Sequence, residues 1–501
     1  GYPAVKAGAI EVASSVNGRI MPPIMGAAAF VMAEILGMTY FEVITHAFIP
    51  AVISYIALFY IVHLEACRLN IQTVPVGEAV ATVLKRGWQY LIPIAVLILM
   101  LTVFRLSPDR SAFICIIALL GVFFLEALLD PANQKNLAKA IKATLAVFFN
   151  GCEAGARNMI AVSIAVAAAG LVMGSIGASG LSNAIQEILT GIAGNNIIPI
   201  LIATAVLSII LGMGLPTTAN YLIVSTLMVG IVSSLGRQSG FDFPLVAIHL
   251  FCFYFGLMAD VTPPVGLASY AAASISRADP IKTGFQAFWY SSRTAILPFV
   301  FLFNTELLLI NISGFLEGTL VFVMSLLAIL AFTAASQGWM RTKLNAVEIG
   351  LLLVICVGLF RPGLLQDYVE PTSIERIELE QLNSGIDEAS VTLRTINLLN
   401  EEQVFKISRI DDKPISAESL GIGLIPSFLH EGALQIQLKK FNGEGAKIGL
   451  QNGMNILAIQ VETERASKYW YYIPSAIALF LVWILQGIKY RKRKLIESND
   501  N

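Results

Sequence analysis

Residues Ala13-Ser-Ser-Val-Asn-Gly-Arg-Ile-Met-Pro-Pro-Ile-Met-Gly-Ala-Ala-Ala29 pass from a polar run through Pro-Pro to a glycine and small residues, and Ala259-Asp-Val-Thr-Pro-Pro-Val-Gly-Leu-Ala-Ser-Tyr-Ala-Ala-Ala273 repeats that order. Proline lacks a backbone N–H and disfavours helix in the residue before it. Pro22-Pro23 and Pro263-Pro264 are therefore expected to interrupt helices and leave backbone carbonyls and amides free. Within a bilayer such groups are tolerated only where protein buries them or a watery cavity reaches them. Two breaks of one chemistry in two halves of a chain predict a transport site.

A third break is expected at Leu211-Gly-Met-Gly-Leu-Pro-Thr-Thr-Ala-Asn220. Gly212 and Gly214 permit unusual backbone angles, Pro216 stops the hydrogen-bond ladder, and Thr217 and Thr218 supply hydroxyls. Carbonyl and hydroxyl oxygens suit a dehydrated Na⁺, whereas the N-terminus of a half-helix suits an anionic substrate group. Packing hinges are the competing reading for any one of these breaks.

Composition agrees with a membrane setting. Of 501 residues 56% are hydrophobic and 13% charged, with a mean hydropathy of +0.73. Soluble domains average about 25% charged residues, so an ordinary soluble protein is excluded. The charge is concentrated: Gly363 to Lys468 holds 16 acidic and 10 basic residues, 26 of the chain's 67 charges. A net charge of −1 offers no argument for nucleic acid. The five cysteines are scattered in or beside apolar stretches and form no disulfide framework or metal motif.

A bilayer-spanning helix needs about 20 mostly apolar residues. Candidate spans are Phe41 to Leu64, Trp88 to Phe104, Ala112 to Leu129, Asn158 to Ile176, Ile197 to Leu211, Leu222 to Leu235, Pro244 to Met258, Thr294 to Ile312, Leu320 to Gln337, Ala346 to Leu359 and Tyr471 to Ile488. Several are short for a full crossing, which suggests broken or re-entrant helices. Basic clusters at Arg68, Lys85 and Arg86, at Lys135, Lys139 and Lys142, at Arg341 and Lys343, and at Arg491 to Lys494 predict cytoplasmic ends. The insert between the last two spans then falls on the outer face.

That insert alternates apolar and polar residues at Ser390 to Ile396, Ala433 to Leu438 and Asn455 to Val461, so a small β-rich domain is expected. Asp411-Asp412-Lys413 reads as a solvated turn. Residues 1–312 are read as the transport domain, 313–362 as two further membrane helices, 363–468 as a periplasmic β-rich domain, and 469–501 as a membrane anchor with a basic cytoplasmic tail.

The charged residues near the breaks carry alternatives. Asp260 can hold a cation, accept a proton or cap the following helix. Arg19 can face a substrate carboxylate or form a salt bridge. Glu153 and Arg157, at i,i+4, are expected to pair. His63 and Glu65 read as solvated at an interface, and His249 as a packing histidine. With His46, His63, His249 and His430 dispersed, no enzyme-like constellation is visible. A membrane-anchored receptor or scaffold acting through the outer domain is the alternative to a carrier.

The order Gly8-Ala-Ile-Glu11, Gly18-Arg-Ile-Met-Pro-Pro-Ile-Met-Gly-Ala-Ala-Ala-Phe-Val-Met-Ala-Glu34, Leu211-Gly-Met-Gly-Leu-Pro-Thr-Thr-Ala219 and Tyr254-Phe-Gly-Leu-Met-Ala-Asp-Val-Thr-Pro-Pro-Val-Gly-Leu-Ala268 resembles the large membrane subunit of TRAP (tripartite ATP-independent periplasmic) transporters. It is similar in particular to fused permeases served by TAXI-type binding proteins, over Gly1 to Ile312, and some of these carry a comparable C-terminal extension. The resemblance implies an all-α polytopic inner-membrane protein, an elevator-type carrier with helical hairpins and discontinuous helices, plus the small β-rich periplasmic domain near the C-terminus.

It further implies uptake of a small organic anion delivered by a periplasmic binding protein and driven by an ion gradient, usually Na⁺, with no other cofactor. By motif, Ser15, Asn17, Gly18, Pro22 and Pro23 match the first hairpin region, Gly212, Gly214, Pro216, Thr217 and Thr218 the broken helix, and Thr262, Pro263, Pro264 and Gly266 the second hairpin tip. Arg19 and Asp260 complete the candidate set. Dicarboxylates, keto acids, amino acids and sialic-acid-like anions all remain open as substrates, as does H⁺ in place of Na⁺. Family members have helices before the first motif, and this chain opens at Gly1, so upstream sequence is expected.

Overall fold

The computed structural model describes residues 1–499 except 24, 72–81, 83, 84, 86, 105, 130–135, 181–183, 186, 189, 190, 192–195, 214, 216, 240, 313, 371–373, 388, 389, 399, 401, 409–413, 431, 440–442 and 463–466. The expectations for Gly214, Pro216, Arg86, Lys135 and the Asp411-Asp412-Lys413 turn lie outside the described residues.

The chain is mostly helical, with a small antiparallel sheet near its C-terminus. Helices α1 (Ala4–Gly18) and α2 (Ala27–Leu36) flank the first Pro-Pro, and α3 (Tyr40–Arg68) follows. Gly37, at φ +63°, ends α2 in the left-handed conformation that a side chain disfavours. Thr39 and Glu42 then start α3 with a reciprocal cap: Thr39 Oγ1 accepts from the Glu42 amide at 3.3 Å, and Glu42 accepts from the Thr39 amide at 2.7 Å.

A peripheral group follows, α4 (Leu91–Thr102), α5 (Pro108–Leu129) and α6 (Leu137–Ser179). The exposed Phe113, Ile116, Leu125 and Leu129 make α5 a lipid-facing helix. The predicted span Asn158 to Ile176 is part of the 43-residue α6. Its polar first half carries Lys139, Lys142 and the paired Glu153 and Arg157 (2.9 Å), which hydropathy reads as a break although nothing there stops a helix.

Helices α7 (Ile197–Gly212) and α8 (Thr217–Gln238) are separated by the third break, and α9 (Leu245–Met258) and α10 (Leu267–Ser276) by the second Pro-Pro. Helix α9 is the centre of the carrier core. Every residue from Val246 to Met258 is buried, as an all-round apolar helix requires. His249 lies among them with its ring Nδ1 2.8 Å from the Tyr221 hydroxyl, the packing role expected of it.

Helix α11 runs Pro280–Phe303, offset from the expected span Thr294 to Ile312. Asp279 caps it by accepting from the Lys282 amide at 2.9 Å and Pro280 occupies its first turn, signals that hydropathy passes over. The chain then forms α12 (Phe315–Gln337), α13 (Ala346–Phe360), α14 (Pro362–Val369) and, after the sheet, α15 (Tyr472–Asn499). Helices α13 and α14 meet at a bend of 88°.

Among the described residues five helices are long and apolar enough to cross a membrane, or six if that bent pair is one span. Several of the eleven apolar candidates are, as expected, too short for a full crossing. At about 1.5 Å per residue, α7 and α9 reach only 20–25 Å of a core about 30 Å thick. They are parts of interrupted elements.

The six strands are β1 (Ile374–Ile377), β2 (Ser390–Ile396), β3 (Glu402–Ser408), β4 (Ile422–Pro426), β5 (Leu434–Leu438) and β6 (Asn455–Glu462), all antiparallel, in the order β3-β2-β6-β5-β4 with β1 also on β6. The alternation in β2 turns Val391 and Leu393 into a core with Phe405, Ile407, Ile436, Ile456 and Ile459. The sheet meets the end of α8 through Arg237, which donates to the Ile448 carbonyl at 3.2 Å and lies over the Phe405 ring.

Candidate functional site

The three interruptions meet. Arg19 follows α1 directly, Thr217 opens α8, and Asp260 lies two residues beyond α9. Arg19 Nη1 donates to Thr217 Oγ1 at 2.8 Å and forms an ion pair with the Asp260 carboxylate, and Thr217 Oγ1 lies 3.5 Å from Asp260 Oδ2. One guanidinium thus joins three segments that are remote in sequence. Arg19 is 44% exposed and Asp260 13%, so the pair lies at a cavity wall with the arginine accessible.

That cavity has a volume of about 620 Å³ and is lined by residues of all three breaks. Besides Arg19, Thr217 and Asp260 it is walled by Ala27 and Ala28, Thr218, and Leu267 and Ala268. These belong to the first turns of α2, α8 and α10. Each helix N-terminus presents unpaired N–H groups and about half a positive charge, and three of them border one volume. Neither α2 nor α10 receives a side-chain cap, which leaves those amides for whatever enters. The apolar part of the wall, with Met25 and Leu215, suits a hydrocarbon skeleton. The arrangement can hold a small organic anion.

Asp260 does not cap the following helix: the residue at the start of α10 is Gly266, with no side-chain cap bond, and the Asp260 carboxylate goes to Arg19. Three intervening turn residues and two prolines put the carboxylate out of reach of that helix. Of the two readings for Arg19, the salt bridge is the one observed.

The other candidate residues take up different positions. Thr218 lines the cavity. Ser15 and Gly18 are exposed at the end of α1 and Pro264 is exposed at the second break. Thr262 gives its hydroxyl to the Met258 carbonyl at 2.7 Å, closing the end of α9. Pro22 and Pro23 line a separate apolar cavity of about 420 Å³ with Phe41 and Phe48. Pro263 packs toward Gly284 of α11, where a Cβ would fall 3.2 Å from its Cγ. Both Pro-Pro bonds are cis.

Gly212 and Gly266 are positions of close approach. A Cβ at Gly266 would stand 3.3 Å from the Val261 carbonyl. Asn17 is fully buried away from the cavity: its Oδ1 accepts from Ser54 Oγ at 3.1 Å and its Nδ2 donates to the Ser54 carbonyl at 3.3 Å. The same carbonyl accepts from Nε of the buried Arg293 at 3.2 Å, so Asn17 ties α1 to α3 and α11. Glu65 is likewise buried and pairs with Lys6 at 2.5 Å, where the sequence suggested a solvated group.

Two polar residues escaped the sequence reading. Asn220 is buried and donates to the carbonyls of Ser208 (3.3 Å) and Gly256 (3.1 Å), joining α7, α8 and α9 just behind the cavity. Arg293 is a fully buried cation in α11, and intramembrane charge is costly. The small residues Ala27 and Ala28 were seen as a pattern but not as cavity wall.

A family model described as "Tripartite ATP-independent periplasmic transporter, DctM component" matches residues 1–316. The chain belongs to this family. The TRAP permease family is a transporter family whose members work in the membrane with a periplasmic substrate-binding protein. A second model, "Domain of unknown function (DUF3394)", matches residues 318–493 and so takes α12, α13, the sheet and most of α15 together. A search of curated proteins finds no match. All three interruptions, and the cavity between them, fall inside the TRAP permease match.

Proposed function

We propose that this TRAP permease imports a small organic carboxylate, delivered by a TAXI-type periplasmic binding protein and driven by an ion gradient, with Na⁺ as the coupling ion. The observation that carries the reading is the Arg19–Asp260 pair in a cavity bordered by three helix N-termini. Arg19 and the first-turn amides receive the substrate carboxylate, and the apolar wall receives its carbon skeleton.

Coupling follows from competition. A substrate carboxylate that takes the Arg19 fork displaces Asp260, and the released carboxylate, beside the Thr217 hydroxyl and the carbonyls of the α9 break, becomes a hard-oxygen site for Na⁺. Each event favours the other, because leaving either charge unpaired in a half-buried wall is costly. The interrupted helices form the mobile part of an elevator, with α11 packed against α1, α9 and α10. With the basic helix ends cytoplasmic, residues 363–468 are periplasmic, and the sheet positions the binding protein.

The test is uptake of a radiolabelled carboxylate into proteoliposomes holding the full assembly, with the binding protein outside. Uptake should require the binding protein and an inward Na⁺ gradient. Uptake that continues unchanged when both Na⁺ and H⁺ gradients are collapsed overturns the reading.

A further inference from the structure

A second polar cavity, of about 490 Å³, lies at the end of the molecule remote from the sheet, where α3 ends and α15 turns from apolar to basic. Arg68, Arg341 and Arg493 line it together with His63, Trp339 and Tyr490, and among the described residues no Asp or Glu lines it. Among the described residues, two nearby acids are held by lysines. Glu65 is paired with Lys6 at 2.5 Å and is 3.9 Å from Arg68, and Glu348 is paired with Lys489 at 2.6 Å. Two helix C-termini, of α3 and α12, approach the same place and contribute about one negative charge between them. Even with Glu65 shared between Lys6 and Arg68, the described lining is basic, so the cavity favours an anion.

Beside it runs an apolar cavity of about 470 Å³ between α3, α12 and α15, lined by Tyr60, Leu327, Leu479, Phe480 and Trp483. The two share Met340, and the Arg341 guanidinium lies 4.1 Å over the Trp483 ring that walls the apolar one. A basic pocket opening onto an apolar groove, at the level where aromatic and basic residues replace aliphatic ones, matches one molecule with a phosphate head and a hydrocarbon tail.

We propose that this seam binds an anionic phospholipid, its phosphate on Arg68, Arg341 and Arg493 and an acyl chain along Leu327 and Leu479. Arg68 belongs to the part matched by the TRAP permease model and the other two arginines to the DUF3394 part, so the lipid bridges the two units. Free phosphate shares the head-group chemistry but has no use for the groove.

The experiment measures lipid retained by the detergent-purified full chain, by native mass spectrometry, together with the melting midpoint after adding phosphatidylglycerol, phosphatidylcholine or inorganic phosphate. Phosphatidylglycerol should be retained and raise the midpoint by several degrees, with the other two ineffective. Losing a charge-assisted contact in Arg341→Gln or Arg493→Gln should weaken retention about tenfold. Leu327→Trp, which fills the groove and leaves the arginines in place, should weaken it as well. Equal retention of phosphatidylcholine, a phosphate effect equal to that of the lipid, or variants that hold phosphatidylglycerol as the native chain does would each overturn the proposal.

Discussion

Arg19 is where the site is decided. Its guanidinium touches the other two breaks, through Thr217 Oγ1 and the Asp260 carboxylate. A lysine keeps the charge but loses the fork that holds a carboxylate through two parallel bonds. Arg19→Lys should therefore weaken substrate binding about tenfold, the equivalent of one charge-assisted hydrogen bond, with the chain still folded. Equilibrium binding by calorimetry checks this, and an unchanged affinity would remove Arg19 from the site. Much of this residue-level picture was legible: Arg19, Thr217, Thr218 and Asp260 stand beside proline or glycine breaks in apolar surroundings, and all four line the cavity. Motif position could not tell a residue facing the cavity from one facing the next helix. Asn17 is two residues from Arg19, about 200° away around α1, and is spent on Ser54. Thr262 is two residues from Asp260 and closes its own helix.

At the scale of elements, the site exists because three helices stop where they do and pack closely enough to bring their ends together. Asn220 and the glycines facing it make that packing possible. A Cβ at Gly212 would stand 2.1 Å from Asn220 Nδ2 and 2.5 Å from the Ala259 Cβ, and one at Gly256 would stand 3.0 Å from the same amide. Gly212→Ala must push the end of α7 away from α8 and from Ala259 after α9, at about 1–3 kcal/mol for an overpacked contact. The expected result is a lower melting midpoint for the purified chain together with weaker substrate binding; an unchanged midpoint would mean that the crossing is looser than described. Breaks were legible because proline and glycine act through the local backbone. Helix lengths were less so: hydropathy divided the amphipathic start of α6 from its apolar end and placed α11 late, since a window average sees neither a cap such as Asp279 nor continuity through Glu153 and Arg157.

The whole molecule is a carrier core joined to a second unit at both ends. On the sheet side, Lys468 pairs with Glu306; at the other end Trp289 Nε1 donates to the Ser336 carbonyl at 3.1 Å. Because α15 is 28 residues long, its ends are about 40 Å apart, enough to put the sheet and the basic tail on opposite sides of a bilayer. Three of the six described strands were legible almost to the residue, with β2 at Ser390–Ile396, because alternation is strict when one face is buried. How the sheet sits on α8 was not, since Arg237 meeting Phe405 and Ile448 leaves no pattern in sequence. The carrier function rests on the idea that substrate and cation each replace one partner of a single ion pair and so favour each other's binding, and this is tested most directly by the initial rate of binding-protein-delivered carboxylate uptake into proteoliposomes as the Na⁺ gradient is varied, for the native chain and for Asp260→Asn. Uptake should rise with the gradient in the native chain and lose that dependence in the variant, whose neutral amide still fits beside Arg19 but cannot hold the ion; an Asp260→Asn variant that follows the Na⁺ gradient as the native chain does would contradict it.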